Sequence, residues 1–172
     1  LAGTGYEGLK DGPTSKAWLA QPSGIAIQAN VIYFADSETS SIRQIDLMGD
    51  QKVETLVGMG LFEFGDTDGV GNQVRLQHPL GLTLYNGYIF LADTYNNKIK
   101  KLNPSNREIV SLAGTGETGF TDGKSISATF NEPSGLTILD NTIYIADTNN
   151  NAIRAIDIAT LEVKTLEIIG LY

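Results

Sequence analysis

The chain repeats itself three times, and that self-similarity limits the possible folds more than any other feature. Pro22-Ser23-Gly24-Ile25 returns as Pro79-Leu80-Gly81-Leu82 and as Pro133-Ser134-Gly135-Leu136, at spacings of 57 and 54 residues. Ala35-Asp36-Ser37, Ala92-Asp93-Thr94 and Ala146-Asp147-Thr148 keep the same two spacings. A third phrase, Leu1-Ala2-Gly3-Thr4-Gly5, recurs at Leu56 and at Leu112. Periods of this length belong to propellers, solenoids and arrays, so the 172 residues divide into modules that must bury their apolar faces against each other.

Each module reads as four short strands. In the third, Gly135–Leu139, Thr142–Ala146, Ala152–Ile156 and Val163–Leu166 are β-prone runs separated by turn residues such as Asp140-Asn141 and Asn149-Asn150-Asn151. The second strands (Val31–Ala35, Tyr88–Ala92, Thr142–Ala146) are nearly continuous in apolar and aromatic residues, with Tyr33, Tyr88, Phe90 and Tyr144 read as core. Runs without strict alternation suit sheets covered on both faces. No segment holds a period near 3.6, so helices should be few. A four-stranded antiparallel meander repeated radially is a propeller blade. The expectation is an all-β propeller with blades at about 22–58, 79–114 and 133–170, and with 1–21 as the end of a preceding blade and its linker. Three blades cannot close a ring, since propellers carry about four to eight. Either upstream blades complete it or two copies pair, and an open flank predicts self-association.

Composition narrows the function classes. There is no cysteine among the residues, which removes disulfides, thiolate metal sites and a cysteine nucleophile. The net charge of −8 argues against tracking nucleic-acid phosphates. No run approaches the ~18 apolar residues of a membrane span. Charge is uneven: the middle repeat balances five basic against five acidic residues, and its Lys98, Lys100 and Lys101 read as a solvated strand edge. The chain opens on Leu1 inside a repeat phrase, which leads us to expect a piece of a longer protein.

Ala-Asp-Thr-Asn-Asn-Asn-Ala-Ile-Arg at 146–154 and Ala-Asp-Thr-Tyr-Asn-Asn-Lys-Ile-Lys at 92–100, each after Pro-x-Gly, resemble the signature of NHL repeats. The first copy departs from it at Ser37-Glu38-Thr39-Ser40-Ser41. Phe62–Gly71 with Leu76–Gly81, and Leu112–Gly116 with Ala128–Pro133, further resemble the NHL repeat-containing protein 2 family. That resemblance implies a six-bladed NHL propeller behind a thioredoxin-like domain, with this chain as the C-terminal half of the ring. It also implies a cytoplasmic setting, and it would assign redox chemistry to the other domain.

Asp36, Asp93 and Asp147 recur in every repeat, which marks them as structural turn residues accepting hydrogen bonds from backbone N–H groups one or two residues on. The residues just before each proline should rim the central channel: Gln21, Gln77 with His78, and Asn131 with Glu132. These vary on a constant frame and are the candidate binding residues. Asp66-Thr67-Asp68-Gly69 lacks the later ligands of a calcium loop. His78 is the single imidazole, so no multi-histidine metal site forms within the chain. No nucleophile–base set is suggested. The sequence therefore predicts no catalytic residue, metal or cofactor. It predicts a rigid recognition scaffold for a protein or small ligand, with no nucleic-acid or membrane partner. The rival is a metal-dependent, lyase- or hydrolase-like propeller whose site is completed by other blades.

Overall fold

The computed structural model describes residues 2–167, which form three antiparallel sheets. The first contains β1 (Gly12–Pro13), β2 (Pro22–Gln28), β3 (Val31–Asp36), β4 (Ser41–Asp46) and β5 (Lys52–Val57). The second contains β6 (Gly69–Val70), β7 (Leu82–Tyr85), β8 (Tyr88–Asp93), β9 (Lys98–Asn103) and β10 (Glu108–Ala113). The third contains β11 (Gly123–Lys124), β12 (Pro133–Leu139), β13 (Thr142–Asp147), β14 (Ala152–Asp157) and β15 (Glu162–Thr165). The four-strand meander expected of each repeat is present. Of the expected third blade, 168–170 lie outside the described residues, as does Leu1 of the opening phrase.

Each sheet has a fifth strand that the repeat pattern did not announce. The order is β1-β5-β4-β3-β2, and the other two sheets match it. The two-residue strand comes from the linker ahead of the blade and pairs with that blade's last strand: Gly12 with Val53, Gly69 with Ile109, Gly123 with Val163. The linker runs along the outer edge of the next blade before the chain reaches that blade's first strand. Within 1–21, expected to be the end of a preceding blade and its linker, Gly12–Pro13 supplies the outer edge of the first sheet. Glycine is required at the entry to this strand, where φ is 129°, 154° and 155° at the three positions, values that L side chains rarely adopt.

The sheets stack through their faces. β2, β7 and β12 are the innermost strands and neighbour one another, with Gly24 N–H donating to Leu80 O at 2.7 Å. One core lies between the first and second sheets, around Ile42, Leu56, Leu76, Leu91 and Leu102. A second lies between the second and third, around Phe90, Ile99, Phe130, Ile145 and Ile156. A smaller one, with Ala17, Phe34, Ile45 and Val53, sits on the opposite side of the first sheet under its own linker. β8 is buried along almost its whole length because it has a sheet on each side, whereas β13 alternates because only one side is covered. Among the described residues no helix is long and apolar enough to cross a membrane.

Candidate functional site

The turns before each proline rest on three carboxylates. Asp36, Asp93 and Asp147 end the second strands and are fully buried. Their bonds are not the local turn bonds expected from sequence. One oxygen of each accepts the backbone N–H sixteen residues earlier: Ala20 at 2.7 Å, Gln77 at 2.7 Å and Asn131 at 2.8 Å. The other faces a cation seven residues later: Arg43 at 2.6 Å, Lys100 at 3.2 Å and Arg154 at 2.8 Å. Each cation reaches outward to a linker carboxylate, Asp11, Asp68 or Asp122. That carboxylate also takes the N–H and hydroxyl of Thr55, Ser111 or Thr165 on the last strand. A single polar chain thus ties the backbone before each proline, the second and third strands, the linker and the outer strand of each blade.

These centres overturn the expectation of a solvated lysine edge. Lys100 is not part of a solvated edge: β9 is an inner strand, and the ammonium is fully buried, facing Asp66 at 2.8 Å, Asp68 at 3.1 Å and Asp93. Lys98 is bound to Asp66 at 2.5 Å, and Lys101 lies 3.8 Å over the Tyr88 ring. The Asp66-Thr67-Asp68-Gly69 stretch therefore has its carboxylates aimed at lysine. Burial drives the Asp93 carboxyl up to about 6 despite Lys100, Asn96 and the Gln77 N–H, and it lifts Asp36 as well against the pull of Arg43. Burial also pulls on Lys100, but its three carboxylates outweigh it and raise the ammonium above its usual value. Asp66 ends below the ordinary range: burial lifts it, and hydrogen bonds from Lys100 and Lys98 more than reverse that. Asp122 is lowered in the same way, through Thr165 and Arg154.

On this base stand the residues singled out from sequence. Gln21, His78 and Glu132 occupy one equivalent position, each left-handed with φ of 56°, 53° and 49°. Gln77 and Asn131 are the preceding residues, and their carbonyls accept the N–H of Tyr95 and Asn149, both at 3.1 Å. Ala20, the equivalent of Gln77, accepts from Glu38 at 3.1 Å. The backbone of the second and third of these turns is also pinned to the blade before it. His78 N–H donates to Ser40 Oγ at 3.3 Å, and Glu132 N–H to Asn97 Oδ1 at 2.8 Å.

The structure brings His78 together with two residues the sequence reading passed over. Its ring stacks on Tyr95 with centroids 4.5 Å apart and planes 7° from parallel, and its Nδ1 lies 3.8 Å from Glu38 Oε1 of the first blade. Gln21 is exposed, whereas Gln77, His78, Asn131 and Glu132 are half-buried. Sequence reasoning also missed Arg43, Lys100 and Arg154. The signal was available as an aspartate followed seven residues later by a cation in all three repeats. Among the described residues no three His, Asp or Glu side chains are grouped to hold a metal ion. A groove of about 600 Å³ lined by Asp11, Asp46, Asp50 and Glu54 lies on the outer edge of the first blade, away from the rim.

Repeating four-stranded meanders, inner strands side by side and a shared polar pin define a β-propeller segment built of NHL-type blades. The family model described as NHL repeat matches residues 130–156, the heart of the third blade. The chain is 46% identical to Arabidopsis thaliana Suppressor of Quenching 1, chloroplastic, over 99% of its length. It is 42% identical to human NHL repeat-containing protein 2 over 98% of its length. It spans only 17% and 25% of those two proteins. Among solved structures, an auxiliary nutrient binding protein from Bacteroides ovatus superposes with a TM-score of 0.73 over 90% of this chain and 39% of that one. At 19% identity, that likeness shows the fold alone.

Proposed function

We propose that this NHL segment is a recognition scaffold within a larger protein, and that its contact surface is the face bearing the strand-turn rim. The observation that carries the reading is the contrast between frame and side chain. Gln21, His78 and Glu132 share one backbone conformation, one buried aspartate beneath and, for the latter two, one pin to the preceding blade, yet their chemistry differs completely. A rigid support presenting variable side chains is where binding specificity usually sits. The neighbouring Glu38, Tyr95 and Asn149 widen the surface, and the His78–Tyr95 stack gives it a flat aromatic patch of the kind enriched at interfaces.

The test is capture of partners from the source organism by immobilised chain, followed by affinity measurement with purified partner. His78→Ala and Glu132→Lys should each weaken the complex about tenfold or more. Glu162→Ala, on the opposite end of the third blade, should leave it unchanged. Equal affinity for all three variants would sink the proposal.

A further inference from the structure

An asparagine or aspartate followed by glycine can cyclise on the main chain. The glycine nitrogen attacks the side-chain carbonyl carbon one residue back, and the bare Cα lets it approach closely. Four such pairs occur in the chain: Asp11-Gly12, Asp68-Gly69, Asn86-Gly87 and Asp122-Gly123. Three of them are clamped. Asp11 is held by Arg43 and Thr55, Asp68 by Lys100 and Ser111, and Asp122 by Arg154 and Thr165, with both oxygens of each engaged. A carboxylate kept ionised by a cation has no leaving group, and the glycine after it is fixed in the outer strand.

Asn86-Gly87 is different. It forms the two-residue turn between β7 and β8, flanked by the facing pair Tyr85 and Tyr88. Both turn residues are exposed and left-handed, with φ of 50° and 78°. Among the described residues the Gly87 N–H has no backbone acceptor, and a Cβ on Gly87 would meet nothing within 4 Å. The side-chain amides of Asn96, Asn97 and Asn150, by contrast, are donated to neighbouring carbonyls and carboxylates. The equivalent turns are Ala29-Asn30 in the first blade and Asp140-Asn141 in the third, so only the second blade sets an amide before glycine.

We propose that Asn86 is a site of spontaneous deamidation, at which the native second blade gains a carboxylate. The Gly87 nitrogen loses its proton and bonds to Asn86 Cγ; the Cγ–Nδ2 bond breaks and ammonia leaves, giving a cyclic imide. Water, the one co-reactant, then opens either imide carbonyl. One opening gives aspartate and the other isoaspartate, in which the main chain runs through the former side chain. The two products differ in what they do to the fold. Aspartate reproduces the third blade, where Asp140 holds the same turn position at φ of 46°. Isoaspartate lengthens the main chain of a turn whose type is set by its length, and so pulls Tyr85 and Tyr88 out of register.

The test is to hold the native full-length protein at mildly alkaline pH, digest it, and follow each asparagine by mass spectrometry with aspartate and isoaspartate resolved. Asn86 should convert before any other asparagine of this segment and give both products. Asp11, Asp68 and Asp122 should remain ordinary aspartate over the same period. Gly87→Asn, which copies the left-handed Asn141 of the third blade, should keep the fold and slow the conversion about tenfold or more, because the attacking residue is no longer glycine. Conversion of Asn86 only after unfolding, prior conversion of another asparagine, or aspartate without isoaspartate would each overturn the proposal. So would isomerisation of the three Asp-Gly pairs at the rate of Asn86, or a Gly87→Asn variant that converts as fast as the natural sequence.

Discussion

The first and third blades build their ionic centre around arginine, and the middle blade builds it around lysine. Arg43 and Arg154 each reach two carboxylates and two linker carbonyls, Trp18 and Lys10 in one case, Thr129 and Thr121 in the other. The guanidinium has donors enough for all four. Lys100 has three donors and no fork, and it spends them on Asp66, Asp68 and Asp93. The extra carboxylate, Asp66, stands where the other blades have Leu9 and Phe120, and Lys98 neutralises it where they have Ser41 and Ala152. One cation with two carboxylates, and two cations with three, leave the same net charge. The blades thus hold the balance of charge constant while changing the residues that supply it.

Deleting the cation should break the comparison most severely. Arg154→Met leaves Asp147 buried without its counter-charge and should cost about 3–5 kcal/mol in urea unfolding. Lys100→Met should cost less than Arg154→Met, because the Asp93 carboxyl already lies near 6 and can take up a proton instead. Equal losses in the two blades would show that the centres are interchangeable.

pH gives the next effect. Because burial favours protonated Asp93, the folded chain binds a proton between about pH 4 and 6 that the unfolded chain has released. Stability should therefore fall as pH rises through that window, by roughly 2–3 kcal/mol at most. Asp93→Asn should flatten this part of the profile, and a carboxyl carbon resonance of Asp93 should titrate near 6 in the native chain. A midpoint near 4 would refute it.

Lys100→Arg should cost about 1–2 kcal/mol, since the larger planar guanidinium must fit among Asp66, Asp68 and Asp93, which close on a compact ammonium. Adding Asp66→Leu, the residue of the first blade, should recover most of the loss, with a coupling above about 1 kcal/mol in a double-mutant cycle. The smallest change is expected from Lys98→Ala, whose partner Asp66 keeps Lys100. It should cost under about 1 kcal/mol and shrink further in high salt.

The blades were legible because the information is local. Strand runs such as Tyr88–Ala92 and turn residues such as Asn97 and Asn151, left-handed at φ of 52° and 53°, declare themselves within a few residues. The centres were half legible. Asp36 pairs with Ser41 across the hairpin, so Arg43 lies on the diagonal of the same face, and a spacing of seven encodes the contact. The tie from Asp11 to Thr55 spans 44 residues and recurs as Asp68 with Ser111 and Asp122 with Thr165, but no short-range pattern marks either residue as the other's partner. The positions before each proline share one backbone turn, as their place in the repeat suggested, but Tyr95 and Glu38 beside His78 were not legible, since that cluster joins two blades.

The two-residue outer strand has a consequence for synthesis. The segment that begins a blade is completed by the strand that ends it: Gly123 waits for Val163, and Asp122 waits for Arg154 and Thr165. About forty residues must leave the ribosome before the first can be satisfied, a delay of several seconds at about 5–20 residues per second. The outer edge of each blade therefore cannot close before its last strand has emerged, and a nascent chain halted before β15 would carry an aspartate whose outer-strand donors had not yet been made.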